Sequence, residues 1–194
     1  MIDRPELDSF CSKYFCYRDL VCCGETYEQG DVKNIPQQSE TWHSIKELAI
    51  NVLDPVREYF GSLQLTYGLA TPELVSAIRR RARKENRTPN IYPSLDQHAG
   101  SELDSRGTLV CRDQGLACDF YCDGVSSELV ADWVIKECNF DKLYYYGSNR
   151  PIHVSVSLLR RKSVVLVRRK ERKVTPKVIL PEQFLELSHW VESP

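Results

Sequence analysis

Two histidines and one aspartate are the residues of this chain best suited to chemistry. His98 follows Leu95-Asp96-Gln97 in polar, irregular text, and His153 opens a strand-like run after the turn Gly147-Ser148-Asn149-Arg150-Pro151. Asp119 sits inside an otherwise apolar strand pattern, Ala117-Cys118-Asp119-Phe120. A carboxylate there should be buried, and a buried charge without a partner is costly. A cation would satisfy it, and two imidazoles with one carboxylate make a three-ligand Zn²⁺ set whose fourth position stays open for water. The other two histidines read as structural or surface residues: His43 lies in an amphipathic helix pattern and His189 near the end of the sequence.

The elements that must position these residues follow from periodicity and punctuation. Residues 41–60 place Trp42, Ile45, Leu48, Ala49, Val52, Leu53, Val56 and Phe60 on one apolar helical face. Thr41 suits the N-cap and Gly61 the stop, while Pro55 should bend the helix or end it early. Residues 63–67 alternate like a strand that closes at Gly68. A helix is expected from Pro72 into the arginines that follow. Residues 89–107 read as irregular, apart from a helical turn after His98. Strand text resumes at 117–121, and Ser126 or Ser127 then caps a helix through Cys138 that buries Leu129, Val130, Trp133 and Val134. Residues 142–146 and 152–157 pair as a hairpin. Residues 164–168 add an edge strand and 181–191 a terminal helix. Helices followed by strands on short turns imply an α+β fold, an antiparallel sheet flanked by helices. The expected organisation is a single domain over residues 1–194, with a core over 7–157 and a basic strand-and-helix extension over 158–194.

Composition narrows the setting. Apolar residues make up 42% and charged residues 27%, as in ordinary soluble domains. No apolar run approaches the roughly 18 residues that span a bilayer. The opening Met1-Ile2-Asp3-Arg4-Pro5 lacks the basic-then-apolar pattern of a signal peptide. A cytoplasmic protein with no membrane partner is the expectation, in a cell or in something replicating there. In a reducing compartment the eight cysteines are expected mostly as small core residues. Cys11, Cys16, Cys22 and Cys23 cluster without C-x₂-C knuckles, so metal binding is their lesser alternative. Charge is uneven. Residues 1–78 carry 6 basic and 12 acidic side chains, whereas Arg79 to Arg87 holds six basic against one acidic and Arg160 to Lys173 eight against one. These two stretches read either as solvated faces or as a footprint for nucleic acid.

Gly115-Leu116-Ala117-Cys118-Asp119 resembles the G-x-A-x-D element of the D-alanyl-D-alanine carboxypeptidase-like zinc peptidases, a fold shared with the Hedgehog signalling domain. Asp96-Gln97-His98 resembles that family's first histidine turn, and Pro151-Ile152-His153-Val154-Ser155 its last strand. Asn51 to Arg57 with Phe60-Gly61, and Leu65-Thr66-Tyr67-Gly68, resemble its preceding helix and strand. The resemblance covers residues 7–157 in order and implies Zn²⁺ on His98, Asp119 and His153. It also implies a peptidase-like hydrolase of bacterial or phage type.

Three departures alter the chemistry that the resemblance implies. His98 and Asp119 stand 21 positions apart, well beyond the family's short spacing, so residues 99–113 form an added loop beside the metal. Ala70 takes the place of the arginine with which the family binds a substrate carboxylate. Arg150 takes the place of the general base, and an arginine stays protonated and cannot serve as one. Glu102, four residues after His98, is the candidate replacement base, with Asp96 or Asp104 within reach. Asp96 could alternatively orient the ring of His98, and Glu102 could simply be exposed. Arg150 would then hold an anionic substrate or stabilise developing charge. Tyr67, Gln97 and Tyr146 complete the expected substrate-binding set, Tyr145 or Tyr146 being the tyrosine of the 144–146 run that faces a pocket. The expected function is a divergent zinc hydrolase whose unidentified peptide or small-molecule substrate does not end in D-Ala-D-Ala. The alternative is an inactive, zinc-stabilised binding module for nucleic acid or a protein.

Overall fold

Pro55 decides how the long helical segment is built. A proline has no N–H, and its ring crowds the carbonyl four residues earlier. The computed structural model, which describes residues 4–24, 27, 30, 32–89, 97–170 and 173–188, answers this with a change of register. Helix α2 (Ser39–Leu48) passes into a π-helical turn (Ala49–Leu53) and then into α3 (Asp54–Phe60), with the N–H of Asp54 reaching back to the carbonyl of Ala49. The wider turn accommodates Pro55, so the helix neither stops nor restarts. It begins two residues before the expected cap, with Gln38 at the N-cap. Gly61, at φ 85°, ends it as expected.

Further helices among the described residues are α1 (Tyr17–Val21), α4 (Pro72–Lys84), α5 (Ser127–Glu137) and α6 (Pro181–Ser188). Thr71 and Ser126 cap α4 and α5 through their hydroxyl oxygens. The face that α5 buries is rotated from the expected one. Val130, Ala131, Val134 and Ile135 point inward, whereas Leu129 is exposed. The expected terminal helix beyond Ser188 and His189 itself lie outside the described residues.

Among the described residues six strands make one sheet: β1 (Leu63–Tyr67), β2 (Leu116–Cys122), β3 (Lys142–Tyr145), β4 (Ile152–Val156), β5 (Ser163–Lys170) and β6 (Lys173–Ile179), in the order β1-β2-β4-β3-β5-β6. β3 and β4 form the expected antiparallel hairpin. β5, however, pairs with β3 in parallel, so the sheet is mixed instead of antiparallel throughout. Nor is β5 an edge strand, because β6 pairs along its whole length. Pro176 hid β6 from a periodicity reading. It is tolerated because β6 is the edge, where a missing donor leaves no ladder partner wanting.

One face of the sheet carries Leu116, Cys118, Phe120, Leu143, Ile152 and Val154 into a core with the inward faces of α2, α3 and α5. Val164, Leu166, Ile179 and Phe184 belong to that same core. Residues 163–188 are therefore built into the sheet and its packing, not appended to them. The eight cysteines are all free thiols, six of them buried, as expected of small core residues. Burial pushes the thiols of Cys11 and Cys138 up to about 12, which keeps them protonated and unreactive.

Candidate metal centre

Strand register lines up the chemistry. Tyr67 on β1, Asp119 on β2, His153 on β4 and Tyr144 on β3 are successive partners across four neighbouring strands. Paired residues share a face, so all four belong to the face opposite the core. A bulge at Thr66 shifts the β1 register by one and brings Tyr67 beside Asp119, a common device near functional sites. His98 arrives from outside the sheet, on a 3₁₀ turn (Gln97–Ala99) that packs on β2.

The ligand atoms of His98, Asp119 and His153 all lie within 4.8 Å of one another, so this group could hold a metal ion. Among the described residues no fourth His, Cys, Asp or Glu joins it. Asp119 Oδ1 lies 3.2 Å from His98 Nε2 and 2.9 Å from His153 Nδ1. The Nδ1–H of His98 donates to the Gly68 carbonyl at 2.7 Å. A neutral His98 has then used its one proton, and its Nε2 lone pair faces a carboxylate oxygen. That arrangement is repulsive unless a cation, a proton or a metal, lies between them. Burial alone pushes the Asp119 carboxyl up, but the imidazoles beside it outweigh this and hold it well below the ordinary carboxylate range. The side chains of His98 and His153 are 3% and 8% exposed and that of Asp119 is 26% exposed, so the group opens to solvent over the carboxylate.

The surrounding shell is aromatic on two sides. Tyr67 meets the His98 ring edge to face with centroids 4.6 Å apart, and Tyr144 meets His153 in the same way at 4.9 Å. Tyr146 stacks beside Tyr144, whereas Tyr145 faces the other way, against Phe184. Of the three tyrosines, Tyr146 is thus on the expected side. Tyr144, the one that touches a ligand, escaped the sequence reading because only strand register identifies it. Gly68 was missed as well, since its contribution is a backbone carbonyl.

Two expected roles do not survive. Gln97 is buried, with its amide donating to the Gln114 carbonyl and to Asp141, and its oxygen accepting from Ser155. With both ends of the amide engaged, Gln97 anchors the histidine turn to the sheet and is not available to a substrate. Glu102 is also buried. Its carboxylate accepts from the Gln37 and Gln38 N–H groups and from the Thr41 hydroxyl. The shared helical face expected for His98 and Glu102 does not form, because the turn ends at Ala99, and Glu102 closes the N-terminus of α2 in place of acting as a base. Thr41, expected as the cap, is instead the bridge between Glu102 and the Ser101 N–H.

Arg150 is exposed on the turn before β4, and its side chain makes no hydrogen bond or ion pair with any described residue. Ala70 is buried, with its N–H on the His98 carbonyl, so the position at which the resemblance would expect an arginine clamp is closed over. Asp104 folds back on Arg106 and the Thr108 N–H. Asp96 lies outside the described residues. A separate hollow of about 270 Å³ lies among Pro5, Tyr17, Trp42, His43 and Lys46, and none of the three candidate ligands lines it. No family model, no curated protein and no solved structure matches this chain.

Proposed function

We propose that His98, Asp119 and His153 hold Zn²⁺ with an open fourth position, and that the chain is a divergent zinc hydrolase on a Hedgehog/DD-peptidase-like fold. The observation that carries this reading is the Nε2 lone pair of His98 turned onto Asp119 while its other nitrogen is committed to Gly68. When bound, the metal supplies Lewis acidity to a water or to a substrate oxygen. This chain's own residues hold the imidazole tautomer through Gly68, wall the group with Tyr67 and Tyr144, and offer the free guanidinium of Arg150 to an anionic substrate. With Ala70 buried, a peptide ending in D-Ala-D-Ala has no carboxylate clamp there, which argues for a different substrate.

Elemental analysis of the purified chain is expected to give about one zinc per molecule, lost in His98→Ala and in His153→Ala. The same two-nitrogen, one-carboxylate set also suits Fe(II), and the elemental analysis separates the two metals. Equal metal content in wild type and both variants would sink the proposal.

A second reading, a zinc-stabilised binding module, is favoured by one observation: Glu102, the candidate base, is spent on the start of α2. Its working surface would be the basic stretches, including the exposed Arg79, Arg80, Arg83 and Lys84 of α4. Cobalt substitution distinguishes the two. A visible spectrum that responds to added thiol or phosphonate means an open position and a hydrolase, whereas an unresponsive tetrahedral spectrum means a closed structural site.

A further inference from the structure

The connection between β4 and β5 holds two leucines out in solvent. Leu158 is 99% and Leu159 58% exposed, while the neighbouring Arg161 is drawn onto Asp141, which is fully buried. The loop is fixed in this arrangement. Asp141 also accepts the Arg161 N–H, its carbonyl accepts the Ser163 N–H, and the Ser157 hydroxyl accepts the Leu159 N–H. Arg160 and Lys162 flank Arg161 at φ 44° and 49°, a backbone conformation that costs energy for a side-chain-bearing residue. The leucines are therefore held outward by a built loop. Ile179 pairs with Val164, which sets the next residue, Leu180 (63% exposed), beside the start of β5 at this same end of the sheet.

Charge completes the pattern. From Arg160 to Lys162 the loop carries three consecutive basic residues, of which Arg161 is ion-paired with Asp113 and Asp141. Within that stretch Arg160 and Lys162 are exposed directly beside the leucines. Glu182, beyond Leu180, is the first acidic residue after Lys173. An apolar tip inside a cationic collar matches a bilayer surface bearing anionic headgroups, with aliphatic chains beneath them. Nucleic acid would suit the collar but not the leucines, since bases are met by aromatic side chains and guanidinium planes. No described helix is long and apolar enough to cross a bilayer. That concerns spanning and leaves contact with a membrane surface open.

We infer that the 157–162 loop, with Leu180 beside it, is a peripheral docking surface for anionic membranes, Leu158 and Leu159 entering the headgroup layer and Arg160 and Lys162 resting on lipid phosphates. This inference does not depend on the metal site. The test is co-sedimentation of the full chain with vesicles of phosphatidylcholine, with and without about one-third phosphatidylserine. Binding is expected only to the anionic vesicles and should weaken as salt rises. Leu158→Asp/Leu159→Asp should lower it by at least about tenfold. Arg160→Glu/Lys162→Glu should abolish it, and both pairs should leave the melting temperature near wild type because these side chains are solvent-exposed. Three results would overturn the proposal: no binding to anionic vesicles, binding indifferent to the leucine pair, or a leucine-dependent self-association in sedimentation with no vesicle binding. Salt-sensitive binding to duplex DNA that survives the leucine substitutions, without vesicle binding, would overturn it in favour of a nucleic-acid surface.

Discussion

At the scale of single residues, the candidate centre rests on small groups placed where nothing larger fits. A Cβ at Gly68 would stand 2.2 Å from the Leu20 carbonyl oxygen and 2.7 Å from the Cys23 sulfur. Gly68→Ala must therefore move the backbone whose carbonyl holds His98 Nδ1. The expected result is a loss of metal affinity of about 10–100-fold, the effect usual for partners that orient a ligand histidine, read by competition with a chromophoric chelator. Metal affinity unchanged in that variant would mean that the His98 orientation does not depend on the carbonyl. Glu102 gives the opposite expectation. Because its carboxylate accepts from the backbone of residues 37 and 38 and from Thr41, Glu102→Ala should destabilise the fold by about 1–3 kcal/mol in thermal unfolding, with metal content retained. The three candidate ligands were legible as residues because the chain has only four histidines and one carboxylate interrupts an apolar strand. The roles of Glu102 and Gln97 were not, since spacing of i and i+4 means proximity only on a continuing helix, and this one ends at Ala99.

At the scale of elements, the sequence foretold most pieces and few of their relations. Periodicity gave α2, β1, α4, β2, α5 and the β3–β4 hairpin, because each has an apolar stripe with caps or turns at its ends. It missed the parallel pairing of β3 with β5, which is a long-range choice no local pattern encodes, and β6, which contains a proline. The π turn before Pro55 belongs to the same class: an apolar stripe continues through it, so a single unbroken helix looks the same in sequence. That turn also has a packing consequence. It sets the buried Asp54 at the start of α3, where its carboxylate accepts from the Ser12 hydroxyl and the Lys13 and Tyr14 N–H groups. Asp54 is thus a buried tie between the N-terminal segment and the long helix, beside the exposed Lys13–Glu58 ion pair and the Arg57 contact to the Tyr14 carbonyl. Asp54→Ala leaves these donors without an acceptor and should cost about 1–3 kcal/mol. Hydrogen exchange locates the effect, with protection expected to fall at Lys13 and Tyr14 before the sheet. A uniform loss of protection across all elements would mean that Asp54 supports the global fold and not this tie.

At the scale of the whole molecule, one polar network joins the histidine turn, the sheet and the loop that begins the C-terminal strands. Ser155 on β4 donates to Gln97, Gln97 to Asp141, and Arg161 spans Asp141 and Asp113, with Lys142 also on Asp113. Burial pushes the Asp141 carboxyl up, but the Arg161 contacts outweigh it and bring it down to about 2. Asp113 is lowered too, by Arg161 and then Lys142. A carboxyl lowered in the folded state favours folding above its unfolded value of about 3.9. That contribution is lost as pH falls from about 4 towards 2. For Asp141 it is worth about 1–2 kcal/mol, discounted because the Arg161 side chain is 35% exposed. Stability is therefore expected to drop steeply over that window. Arg161→Met should behave differently from Asp141→Asn. The first strands a buried carboxylate, costing about 3–5 kcal/mol at neutral pH, and it should lessen the acid-driven loss because Asp141 then takes up its proton at higher pH. The second removes the charge and the pH dependence together, at smaller cost. Urea unfolding of both single variants and the double variant, at pH 7 and pH 3, forms the cycle that measures the pair. A double variant equal to the sum of its singles at both pH values would mean that Arg161 and Asp141 act independently, and that their ion pair is not what joins the loop to the histidine turn.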